Sequence, residues 1–224
     1  MKTRSLELEM LDHEEAFSEK DLYASLDFMR GVNRFLGGTK VILDYLASKP
    51  LPSKFRVLDL GTGGGDIPYE ISIWAESQGK EAEILAIDTN AACLRYAKRH
   101  FFRKNVRYES ASAFDLPRLG QFDYIISSMF FHHLTDEEIV QLLILMKRHA
   151  RLGFVVNDLY RNWPAYIGAG ILSFGTFQKM IRSDAPLSVK RAFREEDFEL
   201  YRKKAEISGA RIRKKAVFRI SLEL

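Results

Sequence analysis

The 224-residue chain contains one cysteine, Cys93, so a disulfide-stapled fold is excluded and a reducing compartment is expected. Residues 1–9 lack the basic-then-apolar order of a secretory signal, which points to the cytoplasm. No apolar run reaches the roughly 20 residues needed to cross a bilayer. The longest, 163–177, is uncharged but is interrupted by Pro164, Gly168, Gly170 and Gly175, and it reads as a buried or lid helix. Internal repeats and low-complexity tracts are absent, which excludes solenoids. Strong charge imbalance is absent too: 34 basic against 30 acidic side chains leave a formal charge of +4. The basic stretches 98–107 and 202–219 read as a solvated helix face and a charged sheet edge rather than a nucleic-acid footprint.

What remains is an alternation of short apolar or β-branched runs (55–60, 83–87, 105–109, 122–127, 152–157) with amphipathic helical patterns (67–78, 91–101, 136–149). That order predicts parallel βαβ units and a doubly wound, mostly parallel α/β sheet, with Thr135 as N-cap of the third helix. Before the first strand, 12–48 reads as two helices broken at Gly37-Gly38. Beyond the fifth, the pattern predicts a helix over 163–181, a loop over 183–188 carrying Pro186, a final helix over 195–208 closed by Gly209, and an alternating strand over 211–224 interrupted by a bulge or tight turn. One domain over 1–224 is expected: helices to about residue 50, a ligand-binding core over 55–158, a lid or substrate segment over 159–194, then the final helix and strands.

The chemistry concentrates in Val57-Leu58-Asp59-Leu60-Gly61-Thr62-Gly63-Gly64-Gly65-Asp66, a strand entering a glycine turn and a helix. Glycines there let a ligand approach the backbone. Asp66 stands where a dinucleotide loop would have its last glycine, and Asp59 and Asp66 would repel a pyrophosphate. They suit a ligand carrying an ammonium and a sulfonium, which describes S-adenosylmethionine. Asp88, followed by Thr89, ends the second strand where a carboxylate can accept from both ribose hydroxyls. Asp12, His13, Glu14 and Glu15 read as a solvated helix start, and no metal site is expected.

Four segments, 57–68, 86–90, 111–117 and 122–138, together resemble the class I S-adenosylmethionine-dependent methyltransferases. The resemblance implies a Rossmann-like methyltransferase fold with the cofactor, and its product S-adenosylhomocysteine, across the ends of the first two strands. It implies that Asp59, Gly61, Thr62, Gly63, Gly65 and Asp66 hold the methionine end and that Asp88 and Thr89 hold the ribose. Ser112, Ala113 and Phe114 would flank the adenine, with Ser112 where the family usually has an acid. Ser128 and Met129 would lie beside the sulfur. The His132-His133-Leu134 segment is closest to the small-molecule branch, which includes quinone-biosynthesis and sugar O-methyltransferases. The looser likenesses at 30–38, 157–161 and 186–193 are to enzymes of phenolic and polyketide-derived products.

The expected reaction is O-methylation of a small, largely apolar hydroxyl acceptor. His133, oriented by Asp158, is the expected general base, with His132 as its rival and Tyr160 a weaker one. An RNA or protein methyltransferase and a non-catalytic cofactor-binding protein are the alternatives. Residues 128–131 lack the Asn/Asp-Pro-Pro-Tyr/Phe turn of enzymes that methylate bases or glutamine amides, so no nucleic-acid partner is expected. Transient membrane-surface contact, and either a monomer or a homodimer, remain compatible with the sequence.

Overall fold

The computed structural model describes residues 1–13 and 17–224. Seven strands form one sheet: β1 (Lys54–Leu60), β2 (Glu81–Asp88), β3 (Val106–Ser110), β4 (Phe122–Ser128), β5 (Ala150–Leu159), β6 (Arg211–Lys215) and β7 (Arg219–Glu223). Their order is β3-β2-β1-β4-β5-β7-β6, with β1 to β5 parallel and β7 antiparallel to both neighbours. Strand order reverses between β1 and β4, which opens a crevice at the carboxyl ends of those strands.

Helices α1 (Glu19–Phe35), α2 (Gly38–Ala47), α3 (Asp66–Ser77) and α4 (Ala91–His100) cover one face, and α5 (Leu116–Leu119), α6 (Asp136–His149) and α9 (Glu195–Lys204) cover the other. Between the last two, α7 (Trp163–Phe174) and α8 (Lys179–Arg191) pack on each other near the strand ends. The central strands are apolar on both faces, as sheets buried on both sides must be. Val57, Ile84 and Tyr124 point into one core layer, and Leu58, Leu85 and Ile125 into the other. The helix ends follow local chemistry: Thr135 accepts the Glu138 amide, and Gly37, at φ 78°, turns the chain from α1 into α2.

Three expectations are corrected. The single helix over 163–181 is two, separated near Gly175, and the loop over 183–188 lies inside α8 with Pro186 in its interior. Proline costs that helix one hydrogen bond. Tertiary contacts compensate: Met180, Ile181, Leu187 and Val189 are buried, and the Asp184 carboxylate accepts the amides of Met10 and Leu11. Gly209 does not close α9. Glu206, at φ 54°, takes the left-handed position, and the Ile207 amide reaches back to the Arg202 carbonyl. The alternating tail is a hairpin whose turn holds Val217 and Phe218 at positive φ, so its pattern breaks there. Among the basic residues, β6 is the charged edge expected, but Arg219 is buried inside the molecule.

Candidate active site

Gly61, at φ 67°, lies so close to the Phe130 ring that an added Cβ would collide with it, and at Gly65, at φ 80°, a Cβ would sit 2.7 Å from that of Ala97. Only glycine allows both this turn and this closeness of α3 to α4. The turn delivers the β1 terminus, Asp59, into a small pocket lined by Gly61 to Gly64, Asp66, Ser128 and Met129 and roofed by Leu26, Met29 and Asn33 of α1. Asp59 is 2% exposed, and its Oδ2 and the Thr62 Oγ1 have no hydrogen-bond partner among the described residues. Burial outweighs the opposing influence of the Thr62 hydroxyl and, reinforced by the charges of Asp66 and Asp88, pushes the Asp59 carboxyl up to about 8. Asp66 accepts from the Asn33 amide at 3.1 Å, and burial raises it as well. Two carboxyl groups in the pocket wall and two orphaned oxygens fit a ligand that brings donors and positive charge.

Asp88 closes the loop from β2. Its Oδ2 accepts the Gly63 amide at 2.8 Å and its Oδ1 the Asn90 amide at 2.9 Å, while burial raises its pKa. Thr89 beside it is exposed. Ser112 caps the short turn Ala113–Asp115: its hydroxyl accepts the Phe114 amide and its own amide donates to Asp115. Gly65, Asp88, Thr89, Ser112, Ala113 and Phe114 line neither of the two cavities of this region.

The second cavity, about 210 Å³, begins where the first ends and shares Met29, Asn33 and Met129 with it. Met129 holds the boundary in a left-handed conformation, φ 58°, and its amide donates to the Asn157 carbonyl. Strained non-glycine residues of this kind persist where surrounding structure over-determines them, often at functional sites. The walls are mostly apolar, from α1, the inner side of α7 and α8. Polar groups occur at Glu9, His132, His133 and Asp184, and at Arg219, whose Nε and Nη1 have no hydrogen-bond partner among the described residues.

The expected pairing of His133 with Asp158 is corrected. Asp158 holds His132 instead, with Oδ1 2.8 Å from the ring Nδ1 and Oδ2 3.2 Å from the His132 amide. Burial works to protonate Asp158, yet the charge and hydrogen bond of His132 keep it below the usual carboxylate range. His133 turns the other way: its Nδ1 is 2.7 Å from Asp12 Oδ1. Burial opposes that charge as well, but His133 and Arg191 bring Asp12 down to about 2. Adjacent residues of the short helical turn Phe131–His133 thus each face a different acid.

The sequence concealed the N-terminal contribution. Glu9 is 3% exposed, its Oε1 lies 3.6 Å from His132 Nε2 without a hydrogen-bond partner among the described residues, and burial raises its pKa to about 7. Donor atoms of Glu9, His132 and His133 all lie within 4.8 Å of one another. Asp12 is no solvated helix start, because it is bound to His133 and, at 3.1 Å, to Arg191. Glu14 and Glu15 lie outside the described residues. Arg191 binds the segment together, donating also to the carbonyls of His132 and His133. No local pattern marks Glu9 or Arg191, since they meet the histidines from distant segments, Arg191 across 59 and 58 positions.

The strand order and the solved structures it superposes on define the fold of the Rossmann-like methyltransferases. Residues 57–153 match the methyltransferase domain family. An uncharacterized methyltransferase of Staphylococcus carnosus is 32% identical over 83 residues, 37% of this chain, and the match spans 36% of that relative's length. Human N-acetylserotonin methyltransferase, solved with S-adenosylmethionine, superposes with a TM-score of 0.64 at 18% identity, covering 92% of this chain and 56% of its own. The magnesium protoporphyrin IX methyltransferase of Synechocystis, with bound S-adenosylhomocysteine, gives 0.57 at 15% identity, covering 91% and 84%. An O-methyltransferase family 2 protein of Planctomyces limnophilus in complex with apigenin gives 0.64 at 12% identity, covering 92% and 61%. At these identities the structural likeness establishes the fold. Among the described residues, no helix is long and apolar enough to cross a membrane.

Proposed function

We propose that this chain is a cytoplasmic enzyme that transfers a methyl group from S-adenosylmethionine to a hydroxyl of a small, largely apolar acceptor of phenol, quinol or polyketide type. The observation that carries the reading is the pair of adjoining cavities: an acidic one at the glycine turn and an apolar one, with an acid-backed imidazole, beyond Met129. S-adenosylmethionine, when bound, supplies the methyl group as an electrophilic sulfonium. Asp59 receives its ammonium, Asp88 its ribose hydroxyls, and Ser128 and Met129 stand at the passage between donor and acceptor.

The acceptor's apolar body lies against α1 and α7, with its hydroxyl at His132 and a second oxygen opposite the unpartnered nitrogens of Arg219. Asp158 fixes the His132 tautomer with the proton on Nδ1, leaving Nε2 to accept the proton of an acceptor hydroxyl, which would activate that oxygen toward the methyl group the sulfonium would supply. Asp158, ionised, stabilises the resulting imidazolium, and Glu9 offers that proton a further acceptor. In-line transfer then needs mainly alignment and exclusion of water, which the walls of the cavity supply.

Single-turnover methylation of a phenolic acceptor tests the assignment. His132→Ala is expected to slow transfer about a hundredfold or more with S-adenosylhomocysteine affinity intact, since base catalysis typically contributes 10²–10⁴-fold. His133→Ala should cost less. A loss below about fivefold at His132 would remove it as base. Activity abolished by a chelator would instead make Glu9, His132 and His133 ligands of a cation.

A further inference from the structure

Helix α7 is apolar on all sides. Ala165, Gly168, Ala169 and Leu172 face the acceptor cavity. Trp163, Ile167, Ile171 and Phe174 are spaced to share the opposite face, and they are 59%, 56%, 70% and 74% exposed. Phe177, just past the helix, is fully exposed. A helix without a charged residue is normally buried all round, and an exposed stripe of large apolar side chains marks a surface that another phase or molecule covers.

The charges around the stripe indicate what covers it. Between residues 159 and 194, Arg161, Lys179, Arg182, Lys190, Arg191 and Arg194 face the single acid Asp184. Asp184, Arg161 and Arg191 are buried and engaged within the protein, so the outward charge of this segment comes from Lys179, Arg182, Lys190 and Arg194 and is positive. The Arg182 guanidinium lies 4.8 Å from the Phe174 ring, and Lys179 beside it is exposed. A second copy docking face to face through α7 would bring these cations together with no outward acid on α7 or α8 to pair them. A bilayer with anionic headgroups satisfies both needs, taking the rings into its apolar boundary and the cations at its surface.

The stripe is also continuous with the cavity. Leu172, Val217 and Phe218 each line the cavity and are 50%, 43% and 40% exposed, so they form an apolar rim between interior and surface. We propose that α7 docks in the surface of an anionic lipid bilayer and that the acceptor cavity loads across this rim with a lipophilic acceptor drawn from the membrane. The docking stands on α7 and the cations of α8 beside it; the nature of the acceptor rests on the function proposed above.

The test is flotation of the full chain with vesicles of phosphatidylcholine alone or mixed equally with phosphatidylglycerol. Binding to the mixed vesicles is expected to be at least about tenfold stronger than to neutral ones and to fall with added salt. Ile171→Glu with Phe174→Glu should weaken it about tenfold or more, Lys179→Glu with Arg182→Glu likewise, and Leu152→Glu, an exposed apolar position on β5, should leave it unchanged. Retained S-adenosylhomocysteine binding shows that each variant is folded. Absence of binding to either vesicle overturns the inference, as does a dimer in sedimentation that Ile171→Glu dissociates. Ile171→Glu should still methylate a water-soluble phenol, because Ile171 does not line the cavity. Lost vesicle binding with retained transfer therefore separates this inference from the reaction itself.

Discussion

Changing Asp59 to Asn should remove the share of the pH dependence of cofactor affinity that comes from this carboxyl. The Asp59 carboxyl is 2% exposed, its Oδ2 has no hydrogen-bond partner among the described residues, and burial raises it from 3.8 to about 8. In the free protein at neutral pH it is therefore mostly protonated. An ammonium placed against it restores the ionised form, so binding of S-adenosylhomocysteine should expel a proton. Affinity should rise with pH by up to about tenfold per unit, roughly 1.4 kcal/mol, and level off above about pH 8. The stability of the free protein moves the other way. A carboxyl raised on folding stabilises the protein below its unfolded pKa, and that contribution is lost as pH rises through about 8. Ligand-induced stabilisation should thus grow between about pH 6 and about pH 8.

Titration calorimetry in two buffers of different ionisation heat measures the proton directly. Near pH 6 the release should approach one proton beyond any contributed by Asp66 and Asp88, which burial also raises. Asp59→Asn isolates the share of Asp59. 5′-Methylthioadenosine, which lacks the amino-acid end, should bind without it. Equal affinity across this range with no proton released, or the same slope with 5′-methylthioadenosine, would refute the assignment of Asp59 to the ammonium.

Two further outcomes follow from the packing. Glu9, raised by burial from 4.5 to about 7, adds stability below its unfolded pKa that is lost as pH rises through about 7, so Glu9→Gln should be more stable than the parent by roughly 3 kcal/mol near pH 8 and nearly equal near pH 4. Urea unfolding at the two pH values checks the sign, and equal destabilisation at both would contradict it. Gly61→Ala, forced to positive φ against Phe130, should cost about 1–3 kcal/mol and weaken S-adenosylhomocysteine binding, whereas Gly31→Ala, within α1 with nothing near its Cβ, should gain about 0.5–1 kcal/mol in thermal unfolding.

The two halves of the site were unequally legible for a physical reason. The donor side is built within βα units: Asp59, Gly61 to Gly65 and Asp88 are strand ends and turns whose spacing is dictated by strand length and helix packing. Local pattern therefore carries their positions, and the structure joins Asp88 to Gly63. The acceptor side joins segments with no shared period. Asp12 meets His133 across 121 positions, and Asp184 holds the Met10 amide across 174. Sequence placed both histidines after β4 and Asp158 at the end of β5, which sufficed to bring one imidazole to that acid. Which one depends on the direction of each side chain in a three-residue turn, and that is decided by Arg191, whose guanidinium grips the carbonyls of both. The α8 error has the same origin, since proline argues locally for a loop while buried apolar contacts and Asp184 argue for a helix from a distance. Where the N-terminal segment, α8 and the turn after β4 meet, each conformation depends on the other two. A change at Arg191 should therefore disturb Glu9, Asp12 and both histidines together while leaving the glycine turn in place.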